Sequence, residues 1–452
     1  MRALTRREFL RLAAAASAGT ACASGGGRTG PRAAPKAGTR AEPVLRIAQL
    51  SHFVPGYDRW FDDEYTKRWG EEHGVQVVVD HIPAVDIASR GAAEAAAESG
   101  HDLFAFVFPF SRFEDQVIDH REIVEEVEAK LGPMTPFVKR GVFNPKTRKY
   151  IGFPDYWVAN VTHYRVDLWH GVEPGLRPDT WDDVLRAGAK LKAIGHPLGL
   201  SLAVGDGDAN AALMALMHAY GSAIQDEDAN ITINSRATVE AVKVMTALYR
   251  SGMNEEVLAW TADGSSNNRY LANGTGSLIL NAVSAMRAIE KQGPELAPRV
   301  ALLPLPAGPA GKQGPYLTST YVIWNSSLNQ EAAKQFLVDL ALHSREELVR
   351  SEYYNMPSFP GAVPDLRVTV ASDATTRPPD KYGFLANAHA WTTNFGHPGH
   401  ANAAVDEVSE QFLIPKMFGA AARGEMTAEE AVRTAERGMA PIFEKWRERG
   451  NI

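Results

Sequence analysis

A single cysteine, Cys22, stands in 452 residues, so no disulfide can form within the chain and its core must hold by packing alone. Basic residues are not gathered into a block and the formal charge is −7, which leaves a nucleic-acid partner without its electrostatic footprint. No apolar run reaches the roughly 20 residues that a bilayer-spanning helix needs. The chain also lacks G-x-G-x-x-G after a strand, G-x-S-x-G and H-E-x-x-H, the motifs of dinucleotide, serine-hydrolase and zincin chemistry. The carboxylate pair of a glycosidase leaves no spacing signature, because the fold sets its separation.

What is present is the composition of a soluble globular protein, 45% hydrophobic and 22% charged. At about 100–200 residues per domain the length favours two lobes. The N-terminus departs from this average. Thr5-Arg6-Arg7-Glu8-Phe9-Leu10 precedes the mildly apolar run 12–21, which reads as a cleavable export signal over residues 1–21. The arginine pair and weak hydrophobicity resemble a twin-arginine signal; a plain Sec signal that contains Arg-Arg is the alternative.

Cys22 falls where a lipoprotein signal is cut and the new N-terminal cysteine acylated, although the preceding Ala18-Gly19-Thr20-Ala21 lacks the usual aliphatic residue. Cleavage there removes four of 47 basic and one of 54 acidic residues, leaving a net charge of −10. Residues 22–43 are rich in Gly and Pro and read as a flexible tether, which with an acylated cysteine predicts a membrane-anchored, extracytoplasmic body.

From Val44 the chain alternates. Val44 to Ala48 is a strand, the aromatics Trp60, Phe61, Tyr65 and Trp69 recur at helical spacing until Gly74, and Val75 to Val79 is a strand. A helix over 86–98 leads to a third strand over 103–107. Strand, helix, strand, helix, strand predicts parallel pairing with right-handed crossovers, with ligands at the carboxyl strand ends. Those ends are the loops 51–57 and 108–112.

Residues 151–169 read as the first crossing between lobes. Beyond it, Thr180 to Asp183 resembles a capping box, 198–204 is a predicted strand, and Gly205 to Asn210 is a polar glycine-rich loop before an apolar helix. Further predictions are a helix from Ser235, a strand over 276–280 ending at Asn281, a strand over 321–324 and a helix over 330–342. Residues 356–379 are expected to be mostly extended or irregular. The chain closes with helices over 405–419 and 427–446, the second with a capping box from Thr427 to Glu430.

In this order several motifs resemble those of the extracellular solute-binding proteins, family 1, of bacterial ABC importers, which are maltose-binding-protein-like. The carriers are Gly152-Phe153-Pro154 leading to Thr162-His163-Tyr164, Pro178-Asp179-Thr180-Trp181-Asp182-Asp183-Val184, Tyr270 to Gly276 before Asn281, 329–337, and Gly424 to Ala431. The resemblance covers nearly all of 44–446. It implies an α/β, two-lobed, type II periplasmic-binding-protein-like fold, each lobe a mixed sheet flanked by helices. It places lobe 1 at 44–157 plus 320–385 and lobe 2 at 158–319 plus 386–452. Hinge crossings are expected near 157–160, 318–321 and 385–391. The implied function is a monomeric substrate-binding lipoprotein, not an enzyme, that needs no cofactor and delivers a carbohydrate to the importer's transmembrane subunits. Another small polar solute, such as a polyamine, polyol phosphate or peptide, is the alternative within the fold. An exported glycosidase or oxidoreductase is the alternative outside it.

Sugars present apolar C–H faces and rings of hydroxyls, so their sites pair aromatic platforms with carboxylates and amides. Candidates from the first lobe are His52, Phe53, Tyr57, Phe108, Phe110 and Arg112, with Tyr156 and Trp157 at the crossing. The second lobe offers Asp206, Asp208, Asn210, Asn281 and Ser284, and the late crossing Trp391, Asn394 and Phe395. For each aromatic the alternative is core or hinge packing, and for Asp206 and Asp208 a turn or cap role. Ser284 occupies the position resembling a sugar-stacking tryptophan, so the pocket need not be of maltose type. His389, His397 and His400 lie close in sequence, but Pro398-Gly399 prevents a helical ligand pair and no metal is expected.

Overall fold

In the computed structural model the described residues are 43–107, 110–260 and 265–452. The readings placed on the export signal, the tether, Cys22 and Phe108 lie outside them. Strands Val44–Leu50 (β1), Gln76–Ile82 (β2) and Leu103–Phe106 (β3) pair in parallel, β1 between the other two, as the alternation predicts. The helical stretch between β1 and β2 runs from Pro55 to His73 and ends on Gly74 at φ +64, a left-handed conformation that glycine adopts without the backbone strain of an L side chain.

Phe153–Val158 (β4) enters the same sheet, and after two residues Val161–Arg165 (β5) enters another. The second sheet also holds Leu198–Gly199 (β6), Leu278–Asn281 (β7) and Val300–Leu303 (β8), in the order β8-β5-β7-β6. Leu317–Ile323 (β9) and the short Met356–Pro357 (β10) complete a six-stranded sheet of order β10-β4-β9-β3-β1-β2. β9 runs antiparallel to both β3 and β4, so the larger sheet is mixed.

Helix ends follow the sequence closely. Thr180 and Thr427 each accept from the amide three residues on while the Asp183 or Glu430 carboxylate takes the cap amide, completing both capping boxes. Ser235 caps Arg236–Gly252 through Thr238 N, and Gln330–Leu342 has the expected bounds.

Two expectations are corrected. The strand over 198–204 is only Leu198–Gly199, because Ser201 Oγ bonds Asp206 and accepts from Ala203 N while Leu202 N turns to Val257 O, which diverts the backbone from the ladder. The helix over 405–419 is two helices, Ala403–Glu410 and Leu413–Ala422, separated at Phe412 with φ +53. Residues 356–379 are mostly extended or irregular as expected, broken by a turn of 3-10 helix at Pro360–Ala362 and a short helix at Leu366–Ala371. No helix among the described residues is long and apolar enough to cross a membrane.

Candidate functional site

A cavity of about 240 Å³ lies at the carboxyl ends of β1, β3 and β4 and the beginning of β9. Its opposite wall comes from the start of the helix Gly207–Ala219, the end of β7, the start of the helix Ser284–Gln292, and the helix Ala403–Glu410. The chain alternates between faces along β4: Tyr156 and Val158 line the cavity whereas Trp157 does not, as the two-residue period of a strand requires.

The polar wall is internally braced. Asp206 caps its helix by accepting from Asp208 N at 3.1 Å. Asp208 takes the side-chain amides of Asn281 at 2.9 Å and Asn267 at 3.2 Å. Asn210 donates through Nδ2 to Ser409 O at 2.9 Å. Its Oδ1 and the Oγ of Ser409 are both buried without a hydrogen-bond partner in the protein. Unpaired buried polar atoms are costly, and these two belong to side chains that line the cavity.

Charge is concentrated at one side. The Arg112 amide donates to Asp406 Oδ2 at 3.0 Å, and its guanidinium reaches Asp406 Oδ1 at 3.3 Å and Glu410 Oε2. Burial pushes the Asp406 carboxyl up to about 7 against the opposing pull of Arg112.

Tyr156 and Tyr354 form a shelf on the sheet side, and His52 stands behind them with its ring centroid 4.8 Å from that of Tyr354. His52 Nδ1 accepts from Val54 N at 3.0 Å, which leaves Nε2 to donate to Asn355 Oδ1 at 2.9 Å; burial lowers its pKa to about 4. Tyr57 donates to Glu347 Oε1 at 2.7 Å. Burial pushes Glu347 up to about 7, and burial together with the Glu347 charge pushes Asp155 well above the usual carboxylate range.

The cavity brings together Phe53, Arg112, Tyr156, Asp208, Asn210, Asn281, Ser284 and Phe395 of the sequence candidates. Others sit elsewhere. His52 and Tyr57 support the shelf from behind, Asp206 caps a helix, and Phe110 stacks on Phe106 at 5.5 Å. Trp157 Nε1 donates to Pro357 O at 3.0 Å and Trp391 Nε1 to Asn160 O at 3.1 Å. Asn394 donates to Gly399 O and accepts from Gly396 N inside its own loop. His397 packs against His218.

The lining residues that sequence reasoning misses are mostly apolar: Leu50, Val107, Val158, Leu317 and Phe412. Four of them carry a findable signal, their place at a strand terminus. Tyr354, Asp406 and Ser409 also line the cavity and have no local signal, because their neighbours are hundreds of residues away.

Residues 55–340, more than half of the chain, match the family described as bacterial extracellular solute-binding protein. A binding protein of Brucella abortus is 26% identical over 203 residues, 44% of this chain and 48% of its own length. An ABC transporter-binding protein of Deinococcus radiodurans is 27% identical over 172 residues, 36% and 40% of the two chains. The chain thus spans about half the length, or less, of these curated relatives. The solved sugar transporter of Arthrobacter chlorophenolicus A6, with bound laminaribiose, superposes with a TM-score of 0.72 at 16% identity, covering 88% of this chain and 99% of that one. At that identity the likeness is one of fold: two lobes of mixed sheet and helix, periplasmic-binding-protein-like of type II.

Proposed function

The chain belongs to the bacterial extracellular solute-binding proteins, and from that premise we propose that it is the substrate-binding lipoprotein of an ABC importer, holding a mono- or oligosaccharide in the cleft between its lobes. The observation that carries this reading is the cavity itself, between two sheets, with Asp208, Asn210, Asn281, Ser284 and Ser409 in its polar wall. Hydroxyls of a sugar can pair with the carboxylate, amide and hydroxyl groups of such a wall. The Arthrobacter protein's bound disaccharide and the transporter name of the Deinococcus relative agree with this reading.

In this proposal lobe 1 is 44–157 plus 320–385 and lobe 2 is 158–319 plus 386–452, and hinge motion between them closes on the solute. The protein acts as a monomer outside the cytoplasm, exported by a twin-arginine signal and anchored through acylated Cys22. A carrier that must release its cargo is served by micromolar affinity, about −8 kcal/mol. Screening the purified protein against sugars by thermal shift tests the reading, since a bound sugar raises stability as RT ln(1 + [L]/Kd). Stabilisation without consumption of the sugar supports it; turnover of the stabilising compound, or stabilisation by non-carbohydrate solutes alone, overturns it. Loss of acyl labelling in Cys22→Ser is the expected result for the anchor.

A further inference from the structure

The two walls of the cavity differ in kind. On the side of the six-stranded sheet, Leu50, Val107, Val158 and Leu317 present aliphatic side chains from strand ends beside Tyr156, Tyr354, Thr318 and Arg112, and Ala84 and Val85 extend the aliphatic stretch on the loop after β2. On the other side stand Asp208, Asn210, Asn281, Ser284 and Ser409. Phe53 and Phe395 also line the cavity.

Phe412 adds an aromatic ring to the wall opposite the sheet. It occupies the left-handed region at φ +53, a conformation strained for a bulky L-residue, and it interrupts what would otherwise be one helix. The interrupted turn brings a half-buried ring to the cavity, and strain of this kind concentrates at ligand sites. A bare sugar has hydroxyls around most of its perimeter. Against the aliphatic stretch of Leu50, Val85, Val158 and Leu317 those hydroxyls would lose water without finding partners, whereas an apolar substituent there is favoured in proportion to the area it buries.

We infer that the solute is amphipathic: a glycoside whose sugar ring meets the Asn210 side of the cavity and whose aglycone, an aryl or short alkyl group, lies along Leu50, Val85, Val158 and Leu317. The inference rests on the carbohydrate-binding reading and narrows its substrate class.

The test is calorimetric titration of the full chain with matched sets of free hexoses and pentoses, their methyl glycosides and their phenyl glycosides. For the sugar that binds, the phenyl glycoside is expected to bind at least 10-fold more tightly than the methyl glycoside. Val85 is 47% exposed, so Val85→Asp can be made without opening the core, and it should cut the phenyl-to-methyl ratio at least threefold. Equal affinities, tighter binding of an unsubstituted oligosaccharide, or a ratio that ignores Val85→Asp overturns the amphipathic assignment and leaves the carbohydrate reading standing. A panel in which no free sugar or glycoside binds overturns both.

Discussion

Arg112 and Asp406 lie 294 positions apart in the chain and meet twice at the cavity wall, amide to Oδ2 at 3.0 Å and guanidinium to Oδ1 at 3.3 Å. The Arg112 side chain is 13% exposed and that of Asp406 2%, so neither charge is well solvated. Without Arg112 the Asp406 carboxyl, already pushed up to about 7, takes up a proton, so the cost is that of a lost charge-assisted hydrogen bond, about 1.5–3 kcal/mol. Arg112→Met is therefore expected to lower stability by about that much, while Arg112→Met with Asp406→Asn recovers a large part of it. Urea titrations of the wild type, both single variants and the double variant measure the coupling; additive losses would refute the pairing.

Asn210→Ala separates binding from folding. The substitution removes an unpaired buried acceptor together with one donor to Ser409 O, so its effect on the unliganded protein is small, within about 1 kcal/mol. Loss of a hydrogen bond to a bound hydroxyl costs about 1–3 kcal/mol, a drop in affinity of roughly 5- to 150-fold. Paired denaturation and titration experiments check this. A large fall in stability with unchanged affinity would remove Asn210 from the site.

Much of the architecture is legible because its signals are local. Thr180-x-x-Asp183 and Thr427-x-x-Glu430 specify helix starts through bonds within four residues, and both capping boxes form as read. The parallel strands β1 to β3 follow from alternation of period. The site is less legible. Composition singled out Tyr156 and Trp157 together, but adjacent strand residues face opposite ways, and only Tyr156 lines the cavity. The break at Phe412 has its signal in Pro415, three residues on, whose ring and missing N–H stop a helix running through from 405; the aliphatic wall escaped because Leu and Val at strand ends read as core.

Trp157 shows the consequence of that alternation. It is 4% exposed, packs edge-on to Phe137 at 5.1 Å and donates to Pro357 O. Trp157→Ala should cost about 3–5 kcal/mol of stability through the cavity it leaves, measured as a lower urea midpoint. Solute affinity extrapolated to fully folded protein should change little; a selective loss of affinity at unchanged stability would instead make Trp157 a contact residue.

The buried carboxyl at Glu347 gives a pH prediction with a defined sign. Burial raises its pKa from 4.5 to about 7 in the folded state, where its Oε1 accepts from Tyr57 at 2.7 Å. Between pH 4.5 and 7 the folded chain therefore holds a proton here that the unfolded chain has released, and the unfolding free energy falls as pH rises through that window. Other groups titrate in the same range: burial lowers His52 to about 4 and His163 to about 3, and these favour folding as pH rises. A difference between two proteins cancels these and isolates the Glu347–Asp155 pair, whose Asp155 carboxyl is relieved of the Glu347 charge in the variant. Glu347→Gln keeps an acceptor for Tyr57 and removes the titration, so relative to the wild type it should gain stability from pH 5 to pH 7, by at most about 1.4 kcal/mol per pH unit. The difference should be flat above pH 8. Urea midpoints of the two proteins at pH 5, 6, 7 and 8 decide it, and a difference that stays constant, or runs the other way, would show that Glu347 is already ionised in the fold.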